Sequence, residues 1–240
     1  MEAPSRRQSD SAYDRLRQLI IRAELRPGAV IEEAAMMELL GVGRTPLREA
    51  IQRLAQEDLI ENVPRRGYFV TEVTAADLYH VFEVRQTLEA LAARLAAERA
   101  TPRHLDEFET LLEDARAGIA ADNQDLDWNL GVDEWFHRIV VQATGNPYLL
   151  GAINRHYGLS VRTLYLSRVR ITLIREEIEN YENMHAALTA RDPDRAEAAM
   201  RKHLDFDPTA VFRTTQLVGN WTNQTQRPGA EPVHRSGRER

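Results

Sequence analysis

Asp133 and His137 stand four residues apart in Val132-Asp-Glu-Trp-Phe-His137. In a helix that spacing puts a carboxylate and an imidazole on one face, where both can reach a single divalent ion. It is equally the spacing of an ordinary i,i+4 helix pair. His203 closes the run Ala196-Glu-Ala-Ala-Met-Arg-Lys-His203 on a later helix, where the helix dipole also favours a histidine, and Tyr181 and His185 lie one turn apart on the helix between. Arg85 precedes Glu89 by one turn, placed either to pair with it on the helix surface or to face a cavity and recognise an anion. Arg155, Arg162, Arg168, Arg170 and Arg175 are further candidates for carboxylate recognition, and His156 has either a core or surface role or a ligand contact.

A second cluster is basic. Gly41-Val-Gly-Arg44-Thr45-Pro46-Leu47-Arg48 puts two arginines at the start of a helix, Arg48 one turn inside it. Positive side chains there oppose the helix dipole. The placement is favourable once phosphate or base edges supply negative charge, and the arginine fork matches guanine O6 and N7. Thr45 is expected to cap that helix or to touch phosphate. Arg65, Arg66 and Gly67 form a basic turn between two short strand-like runs, suited to the DNA backbone or the minor groove.

The elements that must carry these residues fall into two groups. Apolar positions Leu16, Leu19 and Ile20 mark a helix from Ala12 to Ala23; a second reads from Glu32 to Leu40, stopped at Gly41, and a third from Thr45 to Glu57. Leu59 to Val63 and Tyr68 to Val70 then read as a hairpin. Three helices and a hairpin make a winged helix-turn-helix. From Thr74 onward only helices are predicted. They start near Thr74, Thr101, Asp125, Tyr148, Thr172 and Pro193, with a last short one over Thr209 to Leu217. Short turns between them imply an antiparallel bundle. The fold class is mainly α, a winged helix-turn-helix followed by an all-helical bundle. The expected organisation is a disordered start over 1–11, the DNA-binding head over 12–72, the helical effector-binding and dimerisation domain over 74–217, and a disordered tail over 218–240.

Composition narrows the functions available. The 240 residues contain no cysteine, which excludes disulfides, thiolate metal sites and cysteine nucleophiles. No apolar run is long enough to span a bilayer, and the first residues lack the apolar core of a secretory signal, so a cytoplasmic location is expected, associated with the nucleoid when DNA is bound. Net charge is −6, but residues 1–73 are nearly balanced, with 11 Arg or Lys against 12 Asp or Glu, so DNA is held by a local patch on the head.

The stretch from Leu25-Arg-Pro-Gly28 through Glu33 to Leu40, then GVGRTPLREAIQRLAQEDLI and RRGYFV, resembles the GntR family of bacterial transcription regulators. The resemblance implies that Arg44, Thr45, Arg48 and the wing Arg66-Gly67 contact a roughly palindromic double-stranded operator. Gly43 stands where most members have serine, Met37 where alanine is usual, and Asp58 where glycine is usual. Residues from Thr74 to Phe206 resemble the FCD domain of the FadR subfamily, through Phe82 to Glu89, Ala92 to Arg99, Asp133 with Phe136-His137, Ala143 to Pro147 and Ala186 to Leu204. That resemblance implies a homodimer, a small carboxylate effector and a divalent metal, zinc or nickel, held by one aspartate and three histidines. Asp133, His137 and His203 match three of the four. Tyr181 occupies the remaining histidine position, leaving two alternatives: His185 turns in from the adjacent turn, or the site binds metal weakly or not at all and Tyr181 donates a hydrogen bond to the effector. The expected function is a ligand-released repressor of a catabolic or transport operon, not an enzyme. The alternatives are a helical domain that only dimerises, and a metal-dependent hydrolase joined to a DNA-binding head.

Overall fold

The computed structural model describes residues 4–167 and 173–205. Its head consists of α1 (Pro4–Ile21), α2 (Glu33–Leu40), α3 (Arg44–Gln56) and a hairpin of β1 (Ile60–Val63) and β2 (Gly67–Val70), paired antiparallel with Ile60 opposite Val70 and Val63 opposite Gly67. Six helices follow: α4 (Ala75–Arg99), α5 (Pro102–Ala120), α6 (Leu126–Ala143), α7 (Pro147–Ser167), α8 (Leu173–Ala190) and α9 (Pro193–His203). None of the described helices is long and apolar enough to cross a membrane.

Local chemistry accounts for the ends. Thr74 and Asp77 form a reciprocal capping box at the start of α4, with Asp77 N–H donating to Thr74 Oγ1 (3.1 Å) and Thr74 N–H to Asp77 Oδ2 (2.9 Å). Asp125 caps α6 and Asp192 caps α9, and Pro102 and Pro193 open their helices where a missing N–H costs nothing. Gly41 leaves α2 through the left-handed region at φ 67°.

Two cores result. The head buries Leu16, Ile20, Leu47, Ile51, Leu54 and Leu59; the helical domain buries Phe108, Leu111, Phe136, Ile139, Val140 and Met184 among others. Residue size decides one packing detail. A Cβ on Gly118 would lie 2.0 Å from Trp128 Cζ2, so only glycine lets the indole lie against α5, where its Nε1 donates to Asp114 (3.1 Å).

The first helix starts at Pro4, not Ala12, so the residues expected to be disordered up to 11 are helical from Pro4. Ser9 and Ala12 are buried, Asp10 pairs with Arg53 on α3 (2.7 Å), and Tyr13 donates to Glu57 (2.6 Å) while Arg53 lies over its ring. Small and polar residues continue this buried stripe, so it leaves no apolar periodicity to read. The expected helix over Thr209 to Leu217, the tail over 218–240, Arg168 and Arg170 all lie outside the described residues.

The head and the helical domain meet along α7. Leu159 packs against the head core, and Tyr157 and Val161 cluster with Ile21 of α1. Arg155 donates to Asp58 Oδ2 through Nε (3.1 Å) and Nη2 (2.5 Å), and Arg22 pairs with Asp127 of α6 (3.2 Å). Asp58 holds φ 58°, a left-handed conformation that glycine would adopt without cost, and its carboxylate supplies the partner for Arg155.

Candidate DNA interface and metal centre

At the head, α3 begins at Arg44 with Gly43 as its N-cap, and no side chain caps it. The expected cap by Thr45 is therefore not formed: the chain enters the helix one residue earlier than anticipated, and Thr45 lies exposed in the first turn. Uncapped first-turn N–H groups are donors for an anion. Pro46, Leu47, Ala50, Ile51 and Leu54 turn inward, which leaves Arg44 and Arg48 facing out, their side chains 70% and 52% exposed.

Glu33 of α2 is the residue that the sequence did not single out here. It accepts from Arg48 Nε (3.1 Å) and Nη2 (3.0 Å) and lies 3.9 Å from Arg44, and the Arg48 hydrogen bond holds its carboxyl below the usual range. This carboxylate offsets the clash of two arginines with the helix dipole and orients both forks before any nucleic acid arrives. Its signal was present in the α2 sequence, since Glu33 stands in the first turn of a helix that must cross α3. At the wing, Arg65 adopts φ 64° and Gly67 φ 101°, a turn that leaves Arg65, Arg66 and Gly67 exposed at the tip, with the Arg66 guanidinium 5.4 Å from the Phe69 ring centroid. Met37 fills part of the head core.

In the helical domain, three groups from two distant helices converge. Ligand atoms of Asp133 and His137 on α6 and His203 at the end of α9 all lie within 4.8 Å of one another. His137 Nε2 and His203 Nε2 are 3.0 Å apart, and Asp133 lies 3.7 Å from the former through Oδ2 and 3.3 Å from the latter through Oδ1. The opposite nitrogen of each imidazole faces a carboxylate: His137 Nδ1 contacts Glu89 Oε2, and His203 Nδ1 is 3.0 Å from Glu177 Oε2. A carboxylate behind each histidine fixes its tautomer and aims the other nitrogen inward, the arrangement that metal-binding imidazoles adopt. This donor set fits a divalent metal.

Two phenols complete the cage. Tyr181 on α8 donates to Asp133 Oδ1 (3.0 Å) and Tyr157 on α7 to Asp133 Oδ2 (3.1 Å), both buried, with the Tyr181 ring stacked on Phe136 at 4.3 Å. Burial, reinforced by Asp133, pushes both phenols well above their usual range, so each remains a neutral donor. Burial also raises Asp133, but His137, His203 and Arg85 outweigh it and keep the carboxylate ionised. His203 is pushed down by burial and up by Asp133 and Glu177, and rests at about 9 without metal. His185 does not join the cluster; its ring lies 5.4 Å from that of Phe108.

Arg85 is buried rather than on the helix surface. Its Nε donates to Glu89 Oε1 (2.6 Å), Nη1 to Ser160 of α7 (2.7 Å), and Nη2 lies 3.3 Å from His137 Nε2. Arg85 and His137 overcome the burial of Glu89 and hold its carboxyl at about 2. A cation and the inward nitrogens of two histidines thus converge on one point, the chemistry that a carboxylate ligand requires. Of the other basic candidates, Arg175 pairs with Asp122 (2.9 Å), Arg155 with Asp58, and His156 Nδ1 meets the Ala152 carbonyl (2.6 Å). Tyr157, Ser160 and Glu177 escaped the sequence reading. Glu177 could have been found from its place one turn before Tyr181, whereas a tyrosine and a serine on an apolar helix carry no such signal.

Residues 8–70 match the family model described as bacterial regulatory proteins, gntR family, and residues 80–206 match the FCD domain. The chain is 30% identical over 219 residues to the HTH-type transcriptional repressor GlaR of Escherichia coli K12, covering 87% of this chain and 96% of that one. It is 32% identical over 189 residues to a probable D-xylose utilization operon transcriptional repressor of Paenarthrobacter nicotinovorans, covering 77% and 80%. The solved structure of E. coli McbR/YncC superposes with a TM-score of 0.76 at 25% identity over 89% of this chain and 99% of that one. The two family models follow one another along the chain as the winged head and the helical bundle do, and the chain belongs to the GntR family of bacterial regulatory proteins, a DNA-binding transcription regulator with a C-terminal FCD domain.

Proposed function

We propose that this regulator is a homodimeric repressor whose two heads occupy successive half-sites of a roughly palindromic operator and are released by a small carboxylate bound beside Asp133, His137 and His203. Arg44 and Arg48 read base edges, while Thr45, Arg65, Arg66 and Gly67 position the head on phosphate. Asp133, His137 and His203 hold a divalent metal, zinc or nickel, which supplies charge for the effector's carboxylate. Arg85 and Tyr181 contribute the remaining donors.

The observation that carries this reading is the course of α7. One face of it holds the candidate metal centre, through Tyr157 on Asp133 and Ser160 on Arg85, and another meets the head through Arg155 and Leu159. Gly158 lies between them, where a Cβ would come within 3.0 Å of Arg17 Nη2 of α1. A ligand that moves Asp133 or Arg85 pulls on the helix that seats the head, which gives it different affinities for the two head arrangements, as release requires. Dimerisation is supported by α4, whose Val84 and Leu91 are 39% and 47% exposed two turns apart on one face. The names of the relatives, repressors both, support the sign of regulation.

The test uses full-length protein, stripped with chelator or loaded with zinc or nickel, screened against small carboxylates by thermal shift and by mobility shift on its own promoter region. At least one carboxylate is expected to raise Tm only in the metal-loaded protein and to release DNA. If no carboxylate changes either Tm or DNA affinity in any metal state, the helical domain does not sense.

A further inference from the structure

Among the described residues, several polar contacts seat the head on its own helical domain, and they grip it at different places. Arg22, just past α1, pairs with Asp127 through one nitrogen (3.2 Å), and Arg162 Nη2 of α7 donates to the main-chain carbonyl of Thr71, just past the wing. Both hold the head at its margins. Arg155 holds it at its centre. Its Nε (3.1 Å) and Nη2 (2.5 Å) leave one edge of the guanidinium and converge on Asp58 Oδ2, 97 residues away along the chain. Asp58 lies in the short turn between Gln56, the end of α3, and Ile60, the start of β1. That turn joins the two elements that carry the candidate DNA contacts, Arg44 and Arg48 on one and Arg65 and Arg66 on the other.

The turn has little freedom. Asp58 N–H donates to the Ala55 carbonyl (3.3 Å), Leu59 N–H donates to the Leu54 carbonyl (3.0 Å), and Leu59 is buried in the head core. Asp58 itself is held at φ 58°, where a Cβ carries a cost that glycine avoids. A pull on its carboxylate is therefore passed to α3 and β1 together. On the other side of the contact α7 has no slack either, since Leu159 packs on the head core and a Cβ on Gly158 would come within 3.0 Å of Arg17 Nη2.

We infer that the Asp58–Arg155 pair is a specificity-determining contact: it fixes the angle of the head on the helical domain and thereby the half-site separation that the protein accepts. The inference rests on the two-headed dimer proposed above. One base pair inserted between half-sites moves them apart by about 3.4 Å and turns one against the other by about 35°. The heads follow by turning on their helical domains. A shift of about 1 Å between Asp58 and Arg155 is enough to break both hydrogen bonds. An exposed ion pair is worth roughly a two- to fivefold factor in an equilibrium constant, so two such pairs in a dimer supply about 5- to 30-fold discrimination.

The test uses full-length protein and the operator mapped by footprinting in its own promoter region, with and without one base pair inserted at its centre, in mobility shifts at one fixed salt concentration. The quantity read is the ratio of the two affinities. The insertion should weaken binding of the wild type, and Asp58→Gly and Arg155→Gln should each shrink that penalty about 5- to 30-fold. The double variant should shrink it no further than either single one. Because the two substitutions change the net charge in opposite directions, a general effect on phosphate attraction drives their absolute affinities apart, whereas the ratio should fall in both. Asp58→Gly relieves the left-handed strain as it removes the pair, so its Tm should move by about 2–4 °C at most. A penalty of wild-type size in either single variant, or additive losses in the double variant, overturns the inference and leaves the dimer reading standing. A wild type indifferent to the insertion overturns both.

Discussion

Replacing Tyr181 by Phe isolates one bond in the centre of the helical domain. The ring keeps its place, because it stacks on Phe136 at 4.3 Å and is fully enclosed. No side-chain volume beyond one oxygen atom is lost, so the cavity contribution is small. What disappears is the hydrogen bond from the phenol to Asp133 Oδ1 at 3.0 Å. Its acceptor remains ionised, since His137, His203 and Arg85 hold Asp133 below its ordinary range despite its burial. A buried hydrogen bond to a charged group contributes roughly 1.5–3 kcal/mol, so the metal-free variant should lose about 2 kcal/mol. For a domain of this size that corresponds to roughly 4–8 °C in Tm. Calorimetry on chelator-stripped protein, with unchanged far-UV circular dichroism as the fold control, measures it. Tyr165→Phe is the matched comparison: it removes a bond of 2.8 Å to Asp127 at an exposed position and should cost well under ~1 kcal/mol. A Tyr181→Phe protein as stable as the wild type, or more so, would refute the assignment of an ionised Asp133 dependent on phenol donors.

Tyr181→His supplies the imidazole that the family's usual pattern has at this position, and should raise zinc affinity at least tenfold by competition with a chromophoric chelator; unchanged affinity would show that α8 does not face the metal. Gly118→Ala drives a Cβ to within 2.0 Å of Trp128, so despite alanine's better helix propensity the domain should lose about 1–3 kcal/mol, with a shift in tryptophan emission; Gly118→Ala combined with Trp128→Leu should recover most of it. Arg48→Ala should lower operator affinity about ten- to a hundredfold while changing non-specific binding little, and equal losses in salt-matched mobility shifts would remove Arg48 from base reading. In metal-free protein the two limbs of the pH–stability curve have separate origins. His203, raised from 6.5 to about 9, contributes stability that is full below 6.5 and lost as pH rises through 9; Glu89, lowered from 4.5 to about 2, contributes stability that is full above 4.5 and lost as pH falls to 2. His203→Gln should flatten the alkaline limb only.

The candidate metal centre and the head share one element, α7, and the sharing is visible in individual side chains. Tyr157 and Ser160 reach Asp133 and Arg85, Arg155 and Leu159 meet the head, and Tyr157 also packs with Ile21 of α1. Asp58 shows how the junction is maintained: it accepts an unfavourable left-handed backbone where glycine would be unstrained, and gains the carboxylate that Arg155 grips. The aspartate that stands where glycine is usual is thus a contact between domains.

Much of the molecule was legible because local rules govern it. Gly41 ends α2, Thr74 and Asp77 open α4 and Pro193 opens α9, each through backbone groups within a few residues. The place of α3 to within one residue, the basic wing and the shared helical face of Asp133 and His137 were legible from local pattern in the same way, whereas the N-cap of α3 was not. Tertiary structure decided everything that depends on which helices are neighbours. It brought His203 within 3.0 Å of His137 across 66 residues, excluded His185 by turning it to Phe108, and set Glu89 and Glu177 behind the two imidazoles. It moved Arg85 from a surface helix pair into a buried network, and it buried Arg162, whose Nη2 donates to the Thr71 carbonyl. The physical reason is the same throughout. Turns and caps are decided by atoms that are close along the chain, whereas a charge's environment is set by the groups that packing brings around it, and those come from anywhere in the sequence.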